Sequence, residues 1–136
     1  YRTYYDAVSK AATTGLYDIM GHLDVIKRFG YHPKPEEKEE LRELERSALS
    51  AVARSGRAME LNASGLSKPC AEMFPSRRML EEAFTLGIPL TIGSDAHDPA
   101  KLAEHLEKAR ALLYEVGYRE LAVFQHRERS RVPLAL

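Results

Sequence analysis

The chain has 136 residues, and its 20 basic and 20 acidic side chains balance to a formal net charge of zero. This length favours one domain with its own core, and the balanced charge points neither to nucleic acid nor to a membrane surface as a partner. A single cysteine, Cys70, excludes an internal disulfide framework and fits a reducing compartment, so we expect a cytoplasmic protein.

Four helix-like stretches can be recognised in chain order. Residues 4–14 read as the end of a first helix. Residues 36–54 place leucine, alanine and valine on one face and charged residues on the other, which predicts a second. Ser76 is a typical cap for a third helix.

The fourth helix is predicted to open at Asp98-Pro99, since an acidic cap followed by proline is a common helix start. Its inward face is expected to carry Leu102, Leu106, Ala109, Leu113 and Val116. Residues 127–136 alternate in charge and are predicted to be a loosely held tail.

Short apolar segments follow these helices, each introduced by a glycine that suits a helix end. They lie at residues 17–20, 59–61, 90–93 and 121–124. Helices alternating with short buried strands are typical of an α/β protein with a parallel sheet or barrel. Because four parallel strands would leave two open edges, the chain reads better as part of a barrel. A small open sheet is the alternative.

Polar residues follow three of these strands directly. His22 comes after the first, Glu60 and Asn62 lie at the end of the second, and Asp95 and His97 come after the third. The carboxyl ends of parallel strands share one face, so these turns are expected to meet there. Imidazole and carboxylate groups together suit a divalent metal, which predicts a metal site.

Lys27 and Arg28 follow the first of these turns within a few residues. A guanidinium binds phosphate in two-pronged fashion, so this pair could hold an anionic substrate. The alternative is an ordinary pair of surface charges. No glycine-rich nucleotide-binding motif occurs in the sequence.

The strand-end turns, taken in order, resemble the later motifs of the PHP metallophosphoesterases, in particular those of the histidinol-phosphate phosphatase branch. The match runs from about Tyr4 to Phe124. Its motifs are Gly21-His22-Leu23-Asp24, Glu60-Leu61-Asn62-Ala63-Ser64-Gly65-Leu66, Gly87-Ile88-Pro89 and Gly93-Ser94-Asp95-Ala96-His97.

This resemblance implies a distorted (β/α)7 TIM-like barrel with up to three divalent metals, zinc, iron or manganese, at its carboxyl face. His22, Asp95 and His97 match family ligand positions, and the resemblance implies that each belongs to a different metal of the cluster. The family's opening His-x-His motif and its other ligands are absent, and they normally precede this region. Residues 1–126 are therefore expected to be the C-terminal half of such a barrel, with the N-terminal half as partner and residues 127–136 as the tail.

The activity implied by the resemblance is hydrolysis of L-histidinol phosphate to L-histidinol and phosphate, in histidine biosynthesis. Hydroxide at a multinuclear metal site would attack phosphorus, with His22, Asp95 and His97 as the catalytic metal ligands. By the same resemblance, Arg28 or Lys27 would hold the phosphate.

The histidinol end of the substrate would meet Glu60 or Asn62. Two alternatives remain at this stage: a PHP phosphoesterase acting on other phosphomonoesters or on nucleic acid ends, and a non-catalytic PHP-like interaction domain.

Overall fold

A computed structural model describes residues 1–135 of the chain. Helices and strands alternate through most of this range, which confirms the predicted α/β class. The elements are α1 (Arg2–Thr13), β1 (Ile19–Met20), α2 (Lys38–Ser55), β2 (Ala58–Asn62), α3 (Arg77–Thr85), β3 (Leu90–Gly93), α4 (Leu106–Val116), β4 (Glu120–Gln125) and β5 (Glu128–Pro133).

Strands β1, β2 and β3 form a parallel sheet in that order, as the pattern of glycines and apolar runs predicts. The register pairs Met20 with Met59 and Asn62 with Gly93. Strand β2 lies in the middle and is buried along most of its length, as expected of a central parallel strand. Consecutive parallel pairing brings all three carboxyl ends to one edge.

The fourth predicted strand does not join this sheet. Strand β4 pairs antiparallel with β5 as a separate hairpin. The hairpin closes at His126 and Arg127, where both residues adopt left-handed backbone with φ of 50° and 66°. Two successive positive φ values are typical of a tight hairpin turn, which returns the chain beside β4.

The expectation of a loosely held tail over residues 127–136 is also wrong for residues 128–133, because these form β5. Arg127 donates to Asp18 at 2.8 Å and so ties the hairpin to the segment before β1. Leu134 is only 5% exposed and belongs to the core.

The fourth helix begins later than predicted. Asp98 does cap a helical turn, accepting from the amide of Ala100 at 2.9 Å, but that turn is a short 3-10 segment, Pro99–Lys101. Helix α4 starts at Leu106, after His105 adopts a left-handed φ of 62°. Leu102, expected to face inward, is therefore 71% exposed.

The hydrophobic core lies between the helices and the three-stranded sheet. Among the residues with least exposed surface are Leu49, Val52, Met59, Leu61, Met79, Leu80, Ile88, Leu90 and Leu113. The three parallel strands form an open sheet within residues 1–135, and the predicted barrel is not closed by them. None of the helices in this range is both long and apolar enough to cross a membrane.

Candidate functional site

A cleft of about 640 Å³ lies at the carboxyl edge of the parallel sheet. It is where the turns after β1, β2 and β3 meet, as the strand-end argument predicts. The residues lining it include five of the seven predicted site residues: His22, Arg28, Asn62, Asp95 and His97.

His22 is held at two points by one carboxylate. Oε2 of Glu60 accepts from the backbone amide of His22 at 3.2 Å and lies 3.4 Å from Nδ1 of its ring. An ionised carboxylate can only accept hydrogen bonds, so this contact places the ring hydrogen on Nδ1. The other nitrogen, Nε2, then carries the lone pair that a metal would use.

Asn62 is buried and hydrogen-bonded within the protein. It is 2% exposed, and its Oδ1 accepts from the amide and the hydroxyl of Ser64 at 3.0 and 2.6 Å. Its Nδ2 donates to Oε2 of Glu60 at 3.2 Å. Both polar groups of the Asn62 side chain are thus hydrogen-bonded within the protein. Asn62 is therefore better suited to supporting Glu60 and the turn after β2 than to binding substrate directly.

The turn after β3 presents Asp95 and His97 to the cleft. Asp95 has a φ of 51°, which is uncommon for a residue with a side chain. Nδ1 of His97 lies 2.8 Å from the carbonyl of Asp95. Because a carbonyl only accepts, Nδ1 is the donor, and Nε2 of His97 is again the nitrogen with a free lone pair.

The donor chemistry of His22, Asp95 and His97 suits a divalent metal. Within residues 1–135, however, no three His, Cys, Asp or Glu side chains are grouped closely enough to hold one ion. The three residues share the cleft without forming a complete site. Their assignment as ligands remains a prediction.

Lys27 and Arg28, predicted together, lie in different surroundings. Arg28 lines the cleft, with its guanidinium 5.1 Å from the ring centre of Phe29. Lys27 points away, with Nζ 2.8 Å from Oδ2 of Asp24 and 2.5 Å from Oε2 of Glu72. Its charge is neutralised there, so Arg28 is the better placed of the two to receive a phosphate.

Asp24 forms the buried centre of that second cluster. It is 3% exposed, and burial raises the pKa of its carboxyl group despite the opposing charge of Lys27. Its Oδ2 also accepts from the backbone amide of Ser76 at 2.9 Å, just before α3. This cluster fixes the turn after β1 to α3 and so supports the position of His22.

Two lysines that the sequence argument did not select also line the cleft. Lys68 follows the 3-10 turn after β2, and Lys101 ends the turn that Asp98 caps. Both lie close to a strand end, and that position is the signal that could have identified them. At the rim, Ser67 and His105 form a hydrogen bond at 3.2 Å between the turn after β2 and the start of α4.

The chain is similar to curated histidinol-phosphatases. It is 39% identical over 128 residues to the Deinococcus radiodurans protein named "Probable histidinol-phosphatase", covering 94% of this chain and 46% of that protein. It is 33% identical to the histidinol-phosphatase of Lactococcus lactis, covering 79% of this chain and 40% of that protein. The chain thus spans less than half the length of these relatives. No family model matches it.

The same similarity is found among solved structures. A crystal structure of the Lactococcus lactis histidinol phosphate phosphatase, complexed with zinc, L-histidinol and phosphate, aligns with a TM-score of 0.71 and 28% identity. The alignment covers 95% of this chain and 50% of that one. The resemblance expected from the strand-end motifs is confirmed.

Proposed function

Because the chain belongs to the histidinol-phosphatase family, we propose that the protein carrying it hydrolyses L-histidinol phosphate to L-histidinol and phosphate. The protein would thereby act as a cytoplasmic phosphoric monoester hydrolase of histidine biosynthesis. The observation that carries the proposal is the cleft at the carboxyl edge of the sheet, which His22, Arg28, Asp95 and His97 line together.

The proposed cofactor is a divalent metal, and the donor set in the cleft fits one. Each of the two histidines has Nδ1 engaged by an acceptor, which leaves Nε2 for a metal. Asp95 adds a carboxylate. A bound divalent cation makes water a stronger acid and offsets the negative charge of a phosphate. The choice of a divalent metal is supported by the Lactococcus lactis structure, which is complexed with zinc. Iron and manganese suit the same donor atoms.

Further ligands would have to come from beyond the described residues, because residues 1–135 do not group three of them. We propose that the parallel sheet of β1–β3 is part of a distorted (β/α)7 barrel whose N-terminal half supplies them. Up to three metals would then lie at the shared carboxyl face, with His22, Asp95 and His97 each on a different ion.

Arg28 is the proposed phosphate ligand. Arg28 lines the cleft, and no carboxylate among residues 1–135 lies within 4.0 Å of its guanidinium. A guanidinium without an ion pair can offer two parallel hydrogen bonds to phosphate oxygens and hold phosphorus in place for in-line attack. Lys68 and Lys101 add positive charge to the lining of the same cleft.

The test is metal content and phosphate release in the full-length protein with His22→Ala or Asp95→Ala. Both variants are expected to lose bound metal and most of their activity, because each removes a ligand. Asp6→Ala and His126→Asn are matched controls, since both residues are exposed and lie outside the cleft and asparagine tolerates the left-handed backbone at position 126. Full metal content and turnover in either site variant would contradict the proposed ligands.

A further inference from the structure

We infer that Glu60 is a positioning residue, which fixes the orientation and the tautomer of His22, and that it is not a ligand for the substrate. This inference rests on the proposed function, in which His22 binds metal. It changes the role expected from the sequence, where Glu60 is a candidate for the histidinol end.

The contacts of one oxygen atom carry the argument. Oε2 of Glu60 accepts from the amide of His22 at 3.2 Å and from Nδ2 of Asn62 at 3.2 Å, and it lies 3.4 Å from Nδ1 of His22. Three donors thus converge on a single carboxylate oxygen. Glu60 is also absent from the residues that line the cleft, whereas His22 and Asn62 are present. Its carboxylate therefore contacts the imidazole of His22 rather than a substrate bound in the cleft.

The backbone of His22 requires this support. His22 has a φ of 31°, in the region that residues with a side chain rarely adopt. Strained conformations of this kind persist only where surrounding contacts determine them. The hydrogen bond from the His22 amide to Glu60 is such a contact, because it holds the turn after β1 against β2.

The glycines at the ends of β1 and β3 leave the space that the Glu60 carboxylate occupies. A Cβ atom built on Gly93 would overlap Oε1 of Glu60 and lie 3.3 Å from its Cδ, so the side chain fills the space that this glycine leaves open. A Cβ on Gly21 would lie 3.4 Å from Oε2. The carboxylate thus lies between the ends of β1 and β3, largely shielded from solvent, with Oε2 close to His22.

This arrangement selects one form of the His22 ring. A neutral imidazole carries its hydrogen on either nitrogen, and the acceptor that one nitrogen meets decides which. With Glu60 at Nδ1, the hydrogen stays there and Nε2 is a permanent acceptor directed away from Glu60. A carboxylate in that position also makes the ring a more basic ligand, and loss of such a partner typically weakens metal binding by about 10–100-fold.

The experiment compares Glu60→Ala and Glu60→Gln in the full-length protein, with Glu43→Gln as the control. Glu43 is exposed on α2 and lies outside the cleft. Histidine labelled with ¹⁵N reports the tautomer of His22 in the metal-free protein, at about pH 9, where an ordinary imidazole is neutral. Zinc affinity is measured by competition with a chelator, and kcat and KM are measured separately.

We expect Nδ1–H in the unmodified protein and in the control, and a shift toward Nε2–H in Glu60→Ala. Zinc affinity should fall by about 10–100-fold in Glu60→Ala and less in Glu60→Gln, whose amide oxygen still accepts from both His22 donors. An unchanged tautomer together with unchanged zinc affinity would overturn the inference. A rise in KM alone would also overturn it, because that result would identify Glu60 as a ligand for the substrate. Failure to hydrolyse histidinol phosphate would refute only the proposed function, because neither the tautomer nor zinc affinity depends on the substrate.

Discussion

The contrast between Lys27 and Arg28 gives the sharpest prediction, because two adjacent cations have opposite roles in the structure. Lys27→Met should destabilise the protein, and Arg28→Met should impair the reaction. Lys27 is 17% exposed and forms an ion pair with Asp24, whose carboxylate is almost completely buried. Removing one partner of a buried pair leaves a charge without compensation, which typically costs about 3–5 kcal/mol.

The lower end of that range applies here. Asp24 would keep the hydrogen bond from the amide of Ser76 at 2.9 Å after Lys27 is removed. We therefore expect Lys27→Met to lower the free energy of unfolding by about 3 kcal/mol. At roughly 2–4 °C per kcal/mol for proteins of about 150–250 residues, the melting temperature should fall by about 6–12 °C.

Arg28→Met should change the melting temperature by no more than about 2 °C, because no ion pair is lost within the described residues and the contact removed is with the exposed ring of Phe29. The loss of a charge-assisted hydrogen bond of about 1.5–3 kcal/mol should instead lower kcat/KM for histidinol phosphate by roughly 10–100-fold.

The assays are thermal unfolding and steady-state phosphate release in the full-length protein. The matched control is Asp24→Asn combined with Lys27→Met, which removes both charges and should recover most of the lost stability. Equal loss of melting temperature in the two single variants would refute this assignment of roles. A larger fall of kcat/KM in Lys27→Met than in Arg28→Met, at unchanged stability, would refute it as well.

Three further changes test other parts of the structure. Gly93→Ala should displace the Glu60 carboxylate and weaken zinc binding, and zinc affinity equal to that of the unmodified protein would show that the space can adapt. Arg127 lowers the pKa of Asp18 below its ordinary value of 3.8, so this pair stabilises the fold above that pH and ceases to do so as the carboxyl protonates in acid. The difference in melting temperature between the unmodified protein and Arg127→Met should accordingly close as the pH falls below 3.8, and a constant difference would argue against the pair. Leu134→Ala should cost about 2–5 kcal/mol in urea unfolding, since this side chain is buried in the core, whereas a loosely held tail would show no change.

The parallel sheet and the location of the site could be predicted from the sequence. Each of the first three apolar runs is short and follows a glycine, so its position in a parallel strand is specified locally. His22, Asp95 and His97 come directly after such runs, and the geometry of parallel strands then brings them to one face.

The hairpin and the start of α4 could not be predicted in this way. The turn between β4 and β5 uses left-handed backbone at His126 and Arg127, where the usual signal would be asparagine or glycine. Asp98 does cap a helical turn that begins at Pro99. The sequence does not reveal that this turn is short, or that α4 begins only after His105, whose backbone is left-handed.

The roles of Lys27 and Glu60 depend on partners far away in the sequence. Glu72 lies 45 residues from Lys27, and Glu60 lies 38 residues from His22. Contacts between residues so far apart in the chain leave no recognisable pattern in the local sequence. What a strand-end motif specifies is therefore which residues gather at the cleft, while tertiary contacts decide which of them support the others.

The central claim is that this cleft belongs to a metal-dependent histidinol-phosphate phosphatase. The most direct measurement is phosphate release from L-histidinol phosphate by the full-length, zinc-loaded protein, with a generic phosphomonoester measured alongside. We expect a strong preference for histidinol phosphate, abolished by a chelator and restored when zinc is added back. Equal slow hydrolysis of both substrates would contradict the proposed specificity, and no release from a protein with zinc bound would contradict the activity itself.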